Sequence, residues 1–126
     1  MANEGLHEPA ELLDEATIDH HRAIVSLMEE LEAADWYDQR TKATSNPDLA
    51  AIMAHNRDEE KEHAAMLLEW LRRRDPKLDQ VLRLYLFTEG PITELEAAAA
   101  SGGDGAGSSG DEEGSLGLGG AREEEQ

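Results

Sequence analysis

The chain has 126 residues, of which 32% are charged and 4% aromatic, with a formal net charge of -18 and no cysteine. This charge repels phosphate backbones and anionic lipid, and without thiols the strong metal ligands that remain are carboxylate and imidazole. No segment approaches the ~20 apolar residues of a membrane span and the first residues do not resemble a secretion signal, so we expect a cytoplasmic protein without nucleic-acid or membrane partners.

Helical spacing of apolar residues dominates the first part of the chain. It predicts a first helix over about 9–40, with Pro9 in its first turn. Asn46 can then cap a second helix, in which Pro47 takes the first position and which reaches to about Arg74. The pattern predicts an all-α fold, in which two long helices form an antiparallel hairpin and a short C-terminal helix follows.

The composition changes after Ala100. Before it, LDQVLRLYLF and a segment that starts near Pro91 are helical by the same criteria. After it, nine of the eleven glycines lie in residues 101–126, mixed with Ser, Asp and Glu, and such a segment cannot bury a core. We therefore predict a helical domain over 1–100 and a flexible tail over 101–126.

The length of the two long helices favours an oligomer. Each is about 45 Å long at about 1.5 Å per residue, so the short third helix cannot cover their apolar stripes. A dimer of hairpins makes a four-helix bundle with a shared core. We expect an obligate oligomer whose bundle is completed by dimerisation.

Each long helix has a carboxylate at mid-length within an apolar stripe. Burying an isolated ionised carboxylate costs several kcal/mol, so we expect each to bind a cation, take up a proton or remain exposed to solvent. Steps of three and four residues define the two stripes. The stripe of the first helix comprises Ala23, Leu27, Glu30, Ala34 and Tyr37. The stripe of the second helix comprises Met53, Asn56, Glu60, His63, Leu67 and Trp70.

Glu60 and His63 form the motif Glu-x-x-His. Carboxylate-bridged di-iron bundles use one Glu from each of two helices and Glu-x-x-His from each of two others. One chain carries one copy of each part, with Glu30 as the single Glu, and two chains related by a twofold axis would supply the complete set. The dimer that packing favours is therefore also the dimer that a di-iron site needs.

Other interpretations of the histidines and carboxylates, which need no di-iron site, remain open. His55 and Glu59 are spaced to chelate a metal, but their stripe is mostly polar, which favours a solvated face. His20 extends the stripe of Glu30, where a hydrogen-bonded core histidine is commoner than a ligand. The whole pattern also fits a non-catalytic acidic helical adaptor, or a metal-binding protein without redox turnover.

Three segments, MEELEAADWYDQR, AHNRDEEKEHAAMLLEWLRR and YLFTEGPIT, resemble the encapsulated ferritins, and the likeness covers about 20–95. The resemblance implies a ferritin-like two-helix ferroxidase that oxidises Fe(II) with dioxygen and delivers iron for mineral storage. It also implies dimers assembled into a ring, for which a decamer is expected, carried inside an encapsulin nanocompartment in the cytoplasm.

The resemblance also assigns roles around the centre. Glu30, Glu60 and His63 from both chains would bind two irons at each dimer interface, with Glu60 as the bridge. Tyr37 would lie beside the centre, where its hydroxyl can orient a ligand carboxylate. These residues would form the catalytic site of the ferroxidase.

Two further features belong to the resemblance. Glu29 and Glu32, with Trp36 near them, resemble an outer metal-attraction site, which would bind calcium or other divalent ions. The tail segment that contains Leu116 and Leu118 resembles the encapsulation signal of encapsulin cargo, in which the two leucines would enter neighbouring pockets of the shell. The segment is followed by AREEEQ, which departs from the usual pattern.

Overall fold

The computed structural model describes residues 5–106, with side chains described over 5–100. This part of the chain contains helices and no strand, which confirms the predicted all-α fold. None of its helices combines the length and apolarity needed to cross a membrane. The helices are a 3₁₀ turn at Ala10–Leu12, α1 at Glu15–Ala43, α2 at Pro47–Arg74, α3 at Pro76–Tyr85, a second 3₁₀ turn at Ile92–Glu94, and α4 at Leu95–Ala106.

The start of α1 differs from the prediction. A helix from residue 9 was expected, but the 3₁₀ turn after Pro9 ends at Leu12, and the backbone of Leu13 is extended. The helix begins after Asp14, whose side chain accepts a 2.8 Å hydrogen bond from the backbone N–H of Thr17. The prediction was wrong because Pro9 has no side chain that can cap a helix, whereas the Asp14 carboxylate satisfies one of the free N–H groups of the first turn.

The connection between α1 and α2 follows the prediction. The Asn46 side chain accepts a 3.0 Å hydrogen bond from the backbone N–H of Leu49, and Pro47 is the first residue of α2. Pro47 suits this position because its fixed φ matches the helix and its missing N–H would have had no partner there. The short connection makes α1 and α2 antiparallel neighbours, so the predicted hairpin is confirmed.

The hairpin buries little of its apolar surface. Among the described residues, the buried apolar side chains are Ala23, Ala34, Ala64 and Leu71. Larger apolar side chains on both helices remain between 46% and 61% exposed. They are Ile24, Met28, Leu31, Ile52 and Met66. The hairpin therefore has a narrow core of small residues and an apolar surface that no part of the described hairpin covers.

The chain divides between Arg74 and Asp75 into two compact units. In the second unit, the Asp75 side chain caps α3 by accepting a 3.0 Å hydrogen bond from the N–H of Leu78. The later helix that was predicted to start near Pro91 begins there with its 3₁₀ turn, and α4 continues past residue 100. The domain boundary predicted at that residue stays a prediction, since residues 107–126 lie outside the described part.

Candidate metal centre

Glu30, Glu60 and His63 meet where the middles of α1 and α2 face each other. The Nδ1 atom of His63 lies 3.4 Å from Oε1 of Glu30 and 3.3 Å from Oε1 of Glu60. One ligand atom from each residue can be chosen so that all lie within 4.8 Å of one another. Within the described part of the chain, this is the one group of three or more potential ligands that is close enough to hold a metal ion. These are the three residues that the two seams singled out in the sequence, and their role as metal ligands stays a prediction.

The three side chains are partly buried. Glu60 is 21% exposed, Glu30 27% and His63 44%. Ala64 and Ala34 are buried beside them, so the cluster lies at the edge of the narrow core and opens towards solvent. A cation can reach the oxygens of both carboxylates without any opening of the hairpin.

The three side chains of the cluster shift one another's pKa values. A hydrogen bond with Glu60 raises the pKa of Glu30, and burial and the charge of Glu60 act in the same direction. The same hydrogen bond lowers the pKa of Glu60, which also accepts from His63. The hydrogen bond with Glu60 raises the pKa of His63, with Glu30 adding to the effect. Because metal ligands must be deprotonated, the raised pKa values of Glu30 and His63 mean that protons compete with a metal ion for the cluster.

Two contacts between α1 and α2 lie on either side of the cluster. Towards the connection, Nη1 of Arg57 donates a 2.8 Å hydrogen bond to Oδ1 of Asp38. Towards the open end, the rings of His20 and Trp70 meet edge to face with centroids 5.8 Å apart. The Nδ1 atom of His20 also donates a 3.0 Å hydrogen bond to the carbonyl oxygen of Ala16, as expected for a packed, hydrogen-bonded histidine. Sequence reasoning missed Arg57 and Asp38, because a pair between two helices leaves no spacing signal within either helix.

Tyr37 and Trp36 lie further along α1. The Arg40 guanidinium lies over the ring of Tyr37, 5.5 Å from its centroid, and the ring is half-buried. Trp36 is 48% exposed and lines a shallow pocket of about 310 Å³ with Gln39 and Arg40. The predicted role of Tyr37 beside a metal centre, and that of Trp36 at an outer site, stay predictions.

The remaining predicted site residues are exposed or lie outside the described part. Glu29 and Glu32 lie on the exposed surface of α1, outside the cluster of three, and their role at an outer metal site stays a prediction. His55 Nε2 lies 3.4 Å from Glu59 Oε2 on the exposed face of α2, as expected for a solvated pair. The tail leucines at 116 and 118 lie outside the described residues.

The sequence that forms this cluster is similar to the sequences of known proteins. The EncFtn-like family model matches residues 5–89, well over half of the chain. The chain belongs to the encapsulated ferritin family. It is similar to an encapsulated ferritin-like protein of Rhodospirillum rubrum, with 61% identity over 124 residues that cover 94% of this chain and 89% of the relative. It is also similar to a ferritin-like protein of Thermotoga maritima, with 52% identity over 101 residues, 80% of this chain and 89% of the relative.

The chain is also similar to one further curated protein and to one solved structure. The encapsulin nanocompartment cargo protein EncC of Myxococcus xanthus is 39% identical over 82 residues, which cover 61% of this chain and 62% of that protein. A crystal structure of a protein from Nitrosomonas europaea superposes with a TM-score of 0.69 at 61% identity, covering 71% of this chain and 98% of the other. The predicted resemblance to encapsulated ferritins is confirmed, and with it the ferritin-like fold class.

Proposed function

We propose that the protein is a ferroxidase, which oxidises Fe(II) to Fe(III) at a two-iron centre formed between two chains. The observation that carries this proposal is the convergence of Glu30, Glu60 and His63 from two helices, with ligand atoms within 4.8 Å of one another. Carboxylate oxygens and imidazole nitrogen are a donor set that suits iron, and the chain offers no competing thiolate. Membership of the encapsulated ferritin family supports the same assignment.

The centre needs a second copy of the chain. One chain offers two carboxylates and one imidazole, whereas di-iron bundles use four carboxylates and two imidazoles. A twofold axis that passes beside the cluster doubles the set. Leu31 follows Glu30 directly, and Met66 lies three residues after His63; both are more than half exposed. Covering such half-exposed side chains contributes about 1 kcal/mol each, so packing and ligand supply favour the same dimer.

Within this dimer the residues have distinct roles. Bound iron supplies the redox chemistry, with dioxygen accepting the electrons that Fe(II) loses. Glu60 hydrogen-bonds to Glu30 and contacts His63, which supports its assignment as the carboxylate shared between two irons. The raised pKa values of Glu30 and His63 favour their protonated forms, so protons compete with a cation for these ligand atoms. The carboxylate charge then stabilises the more highly charged oxidised ion.

We assign supporting roles along α1. Tyr37, on the same stripe as Glu30 and half-buried, orients a ligand carboxylate through its hydroxyl once the partner chain is in place. Glu29 and Glu32 are exposed carboxylates beside Glu30, and with Trp36 they form an outer site that attracts Fe(II), calcium or other divalent ions. The net charge of -18 raises the local concentration of cations around both sites.

The names of two relatives support a proposal for the cellular setting. One is named an encapsulated ferritin-like protein and another an encapsulin nanocompartment cargo protein. We propose that the chain assembles into a ring of dimers inside a cytoplasmic encapsulin shell, to which the tail binds through Leu116 and Leu118. Iron oxidised at the centre then passes into the shell for storage.

The proposal is tested by dioxygen consumption and iron stoichiometry. Purified, metal-free protein is mixed with Fe(II) in air, and the rate is compared with that in buffer alone and with a Glu60→Ala, His63→Ala double variant. A ferroxidase consumes dioxygen faster than both controls and binds about one iron per chain under anaerobic conditions. Binding without faster dioxygen consumption would indicate a metal-binding protein without turnover, and absence of both would indicate the acidic adaptor.

A further inference from the structure

The guanidinium of Arg57 joins the two long helices next to the cluster of Glu30, Glu60 and His63. Its Nη1 atom donates a 2.8 Å hydrogen bond to Oδ1 of Asp38 on α1, and its Nε atom donates a 3.0 Å hydrogen bond to Oδ1 of Asp58 on α2. The Arg57 side chain is 21% exposed, less than that of Asp38 at 44%. One planar cation therefore contacts a carboxylate on each helix and is itself largely covered.

The Arg57–Asp38 contact lies near the cluster of Glu30, Glu60 and His63 along both helices. Arg57 precedes Glu60 by three residues, so the two side chains lie on neighbouring turns of one face of α2. Asp38 follows Glu30 by eight residues, about 12 Å along α1 at about 1.5 Å per residue. Because the helices are antiparallel, the Arg57–Asp38 contact lies between the helix connection and the cluster. A slide or rotation of α1 against α2 that separates Glu30 from His63 must also stretch this contact.

Stability alone does not account for such a pair. Ion pairs near the surface contribute little to folding, since water solvates the separate charges well. Their directional hydrogen bonds can nonetheless select one helix register among several of similar packing energy. That selection is needed here, because the buried residues between the helices include Ala23, Ala34 and Ala64, whose methyl groups offer little shape to lock a register.

We propose that Arg57 is a positioning residue, which through Asp38 holds α1 and α2 in the register that brings Glu30 to Glu60 and His63. The consequence for metal binding rests on the function proposed above, whereas the register itself is a property of the metal-free chain. Displacing ligands by about 1 Å is enough to weaken a site strongly, and residues that orient ligands are worth roughly tenfold to a hundredfold in metal affinity.

The test compares variants with opposite changes in charge. Arg57→Met removes a positive charge and Asp38→Leu removes a negative one, and both break the same contact, because neither new side chain can donate or accept a hydrogen bond. Arg22→Met is the matched control, because Arg22 also forms a 2.8 Å ion pair with an aspartate, in this case Asp19 on its own helix. Arg57→Lys keeps the charge and restores part of the contact. Co²⁺ affinity is measured by visible absorption, and crystal structures of the metal-free variants give the distance between His63 and Glu30.

Positioning predicts that Arg57→Met and Asp38→Leu both lose Co²⁺ affinity by about tenfold, that Arg57→Lys recovers part of it, and that Arg22→Met stays at the wild-type value. The 3.4 Å separation between His63 Nδ1 and Glu30 Oε1 should lengthen in both broken variants. If Arg57→Met instead binds Co²⁺ more tightly while Asp38→Leu binds it more weakly, net charge explains the effect and positioning is overturned. If the wild-type protein binds no Co²⁺, the proposed function fails, and the metal-free distances alone decide the positioning.

Discussion

The imidazole of His63 on α2 lies 3.4 Å from the carboxylate of Glu30 on α1. This contact joins the two seams within a single chain, so half of the proposed centre exists before any partner binds. The chain alone can therefore present a weak cation site, which the proposed dimer would complete. The contact also defines which substitutions should affect the centre and which should not.

Removing a cluster residue should abolish most activity. We expect Glu60→Ala and His63→Ala each to lower the initial rate of Fe(II)-dependent dioxygen consumption by at least about tenfold, because each removes a direct ligand. Glu59→Ala is the control, since Glu59 is exposed, pairs with His55 and lies outside the cluster of three. Equal losses at Glu59 and Glu60 would show that the metal faces a different side of the helix.

Metal binding and assembly should be linked through Glu30. Any ion that binds the dimer but not the monomer stabilises the dimer, by about 2.7 kcal/mol when its concentration is 100 times its Kd. We expect anaerobic Fe(II) to shift the wild-type protein to larger species in native mass measurements. Glu30→Ala should bind less iron and show a smaller shift. A size distribution that is the same with and without iron would contradict the link.

The exposed apolar side chains of the hairpin should form the dimer interface. Leu31 is 54% exposed and adjoins Glu30, so Leu31→Lys should raise the dissociation constant of the dimer by at least tenfold, about 1.4 kcal/mol, without loss of helical circular dichroism. Leu12→Lys is a matched control, because Leu12 is 73% exposed and lies in the 3₁₀ turn before α1. Sedimentation velocity distinguishes the outcomes, and a weakened dimer with Leu12→Lys alone would place the interface elsewhere.

Glu69 should contribute pH-dependent stability. Hydrogen bonds from Arg72 and Arg73, 2.7 to 2.8 Å long, lower the pKa of Glu69 from 4.5 to about 2. A carboxyl whose pKa is lower in the folded state stabilises the fold above its unfolded pKa and loses that contribution as pH falls. We expect Glu69→Gln to unfold more easily at pH 7, by less than about 1 kcal/mol because the side chain is 43% exposed.

The difference between wild type and Glu69→Gln should shrink as pH falls from about 4.5 towards about 2. Urea denaturation at pH 7 and pH 3 measures it. Arg22 and Asp19 supply a comparison pair within α1, so Asp19→Asn controls for the loss of one carboxylate. A difference that grows at low pH would contradict the assigned direction of the Glu69 shift.

The tail should direct the protein to its shell and leave chemistry unaffected. Deleting residues 101–126 should preserve ferroxidase activity but prevent co-purification with a co-expressed encapsulin shell. A full-length variant with Leu116→Asp and Leu118→Asp should behave in the same way, because aspartate cannot enter an apolar pocket without loss of solvation. Undiminished loading of either variant would refute targeting by these leucines and leave the metal-centre proposal intact.

Local signals predicted much of the fold. Asn46 and Pro47 identified the start of α2 because capping acts within one turn. Helical periodicity placed Glu30 on the seam of the first helix and Glu60 with His63 on the seam of the second, because each seam is read along a single helix; the contact between the two seams came from the structure. The start of α1 was not predicted, since Asp14 and Pro9 compete as starting points and the outcome depends on one side-chain hydrogen bond.

Contacts between helices were harder to predict. The pair of Arg57 and Asp38 depends on the relative register of α1 and α2, which neither helix encodes alone. The edge-to-face contact of His20 with Trp70 depends on the same register. Such pairs follow from the three-dimensional packing of the hairpin and give no periodic pattern in the sequence.

The short connection between α1 and α2 affects the order of events during folding. Asp38 and Arg57 are separated by 19 residues in the sequence, and their contact closes a small loop around a preformed turn. Loops of this size close within a microsecond, and proteins dominated by such local contacts fold in microseconds to milliseconds. Two chains meet more slowly, at a rate that depends on their concentration. In a newly made chain the hairpin, and with it the Glu30–His63 contact, should therefore form before the chain meets a partner.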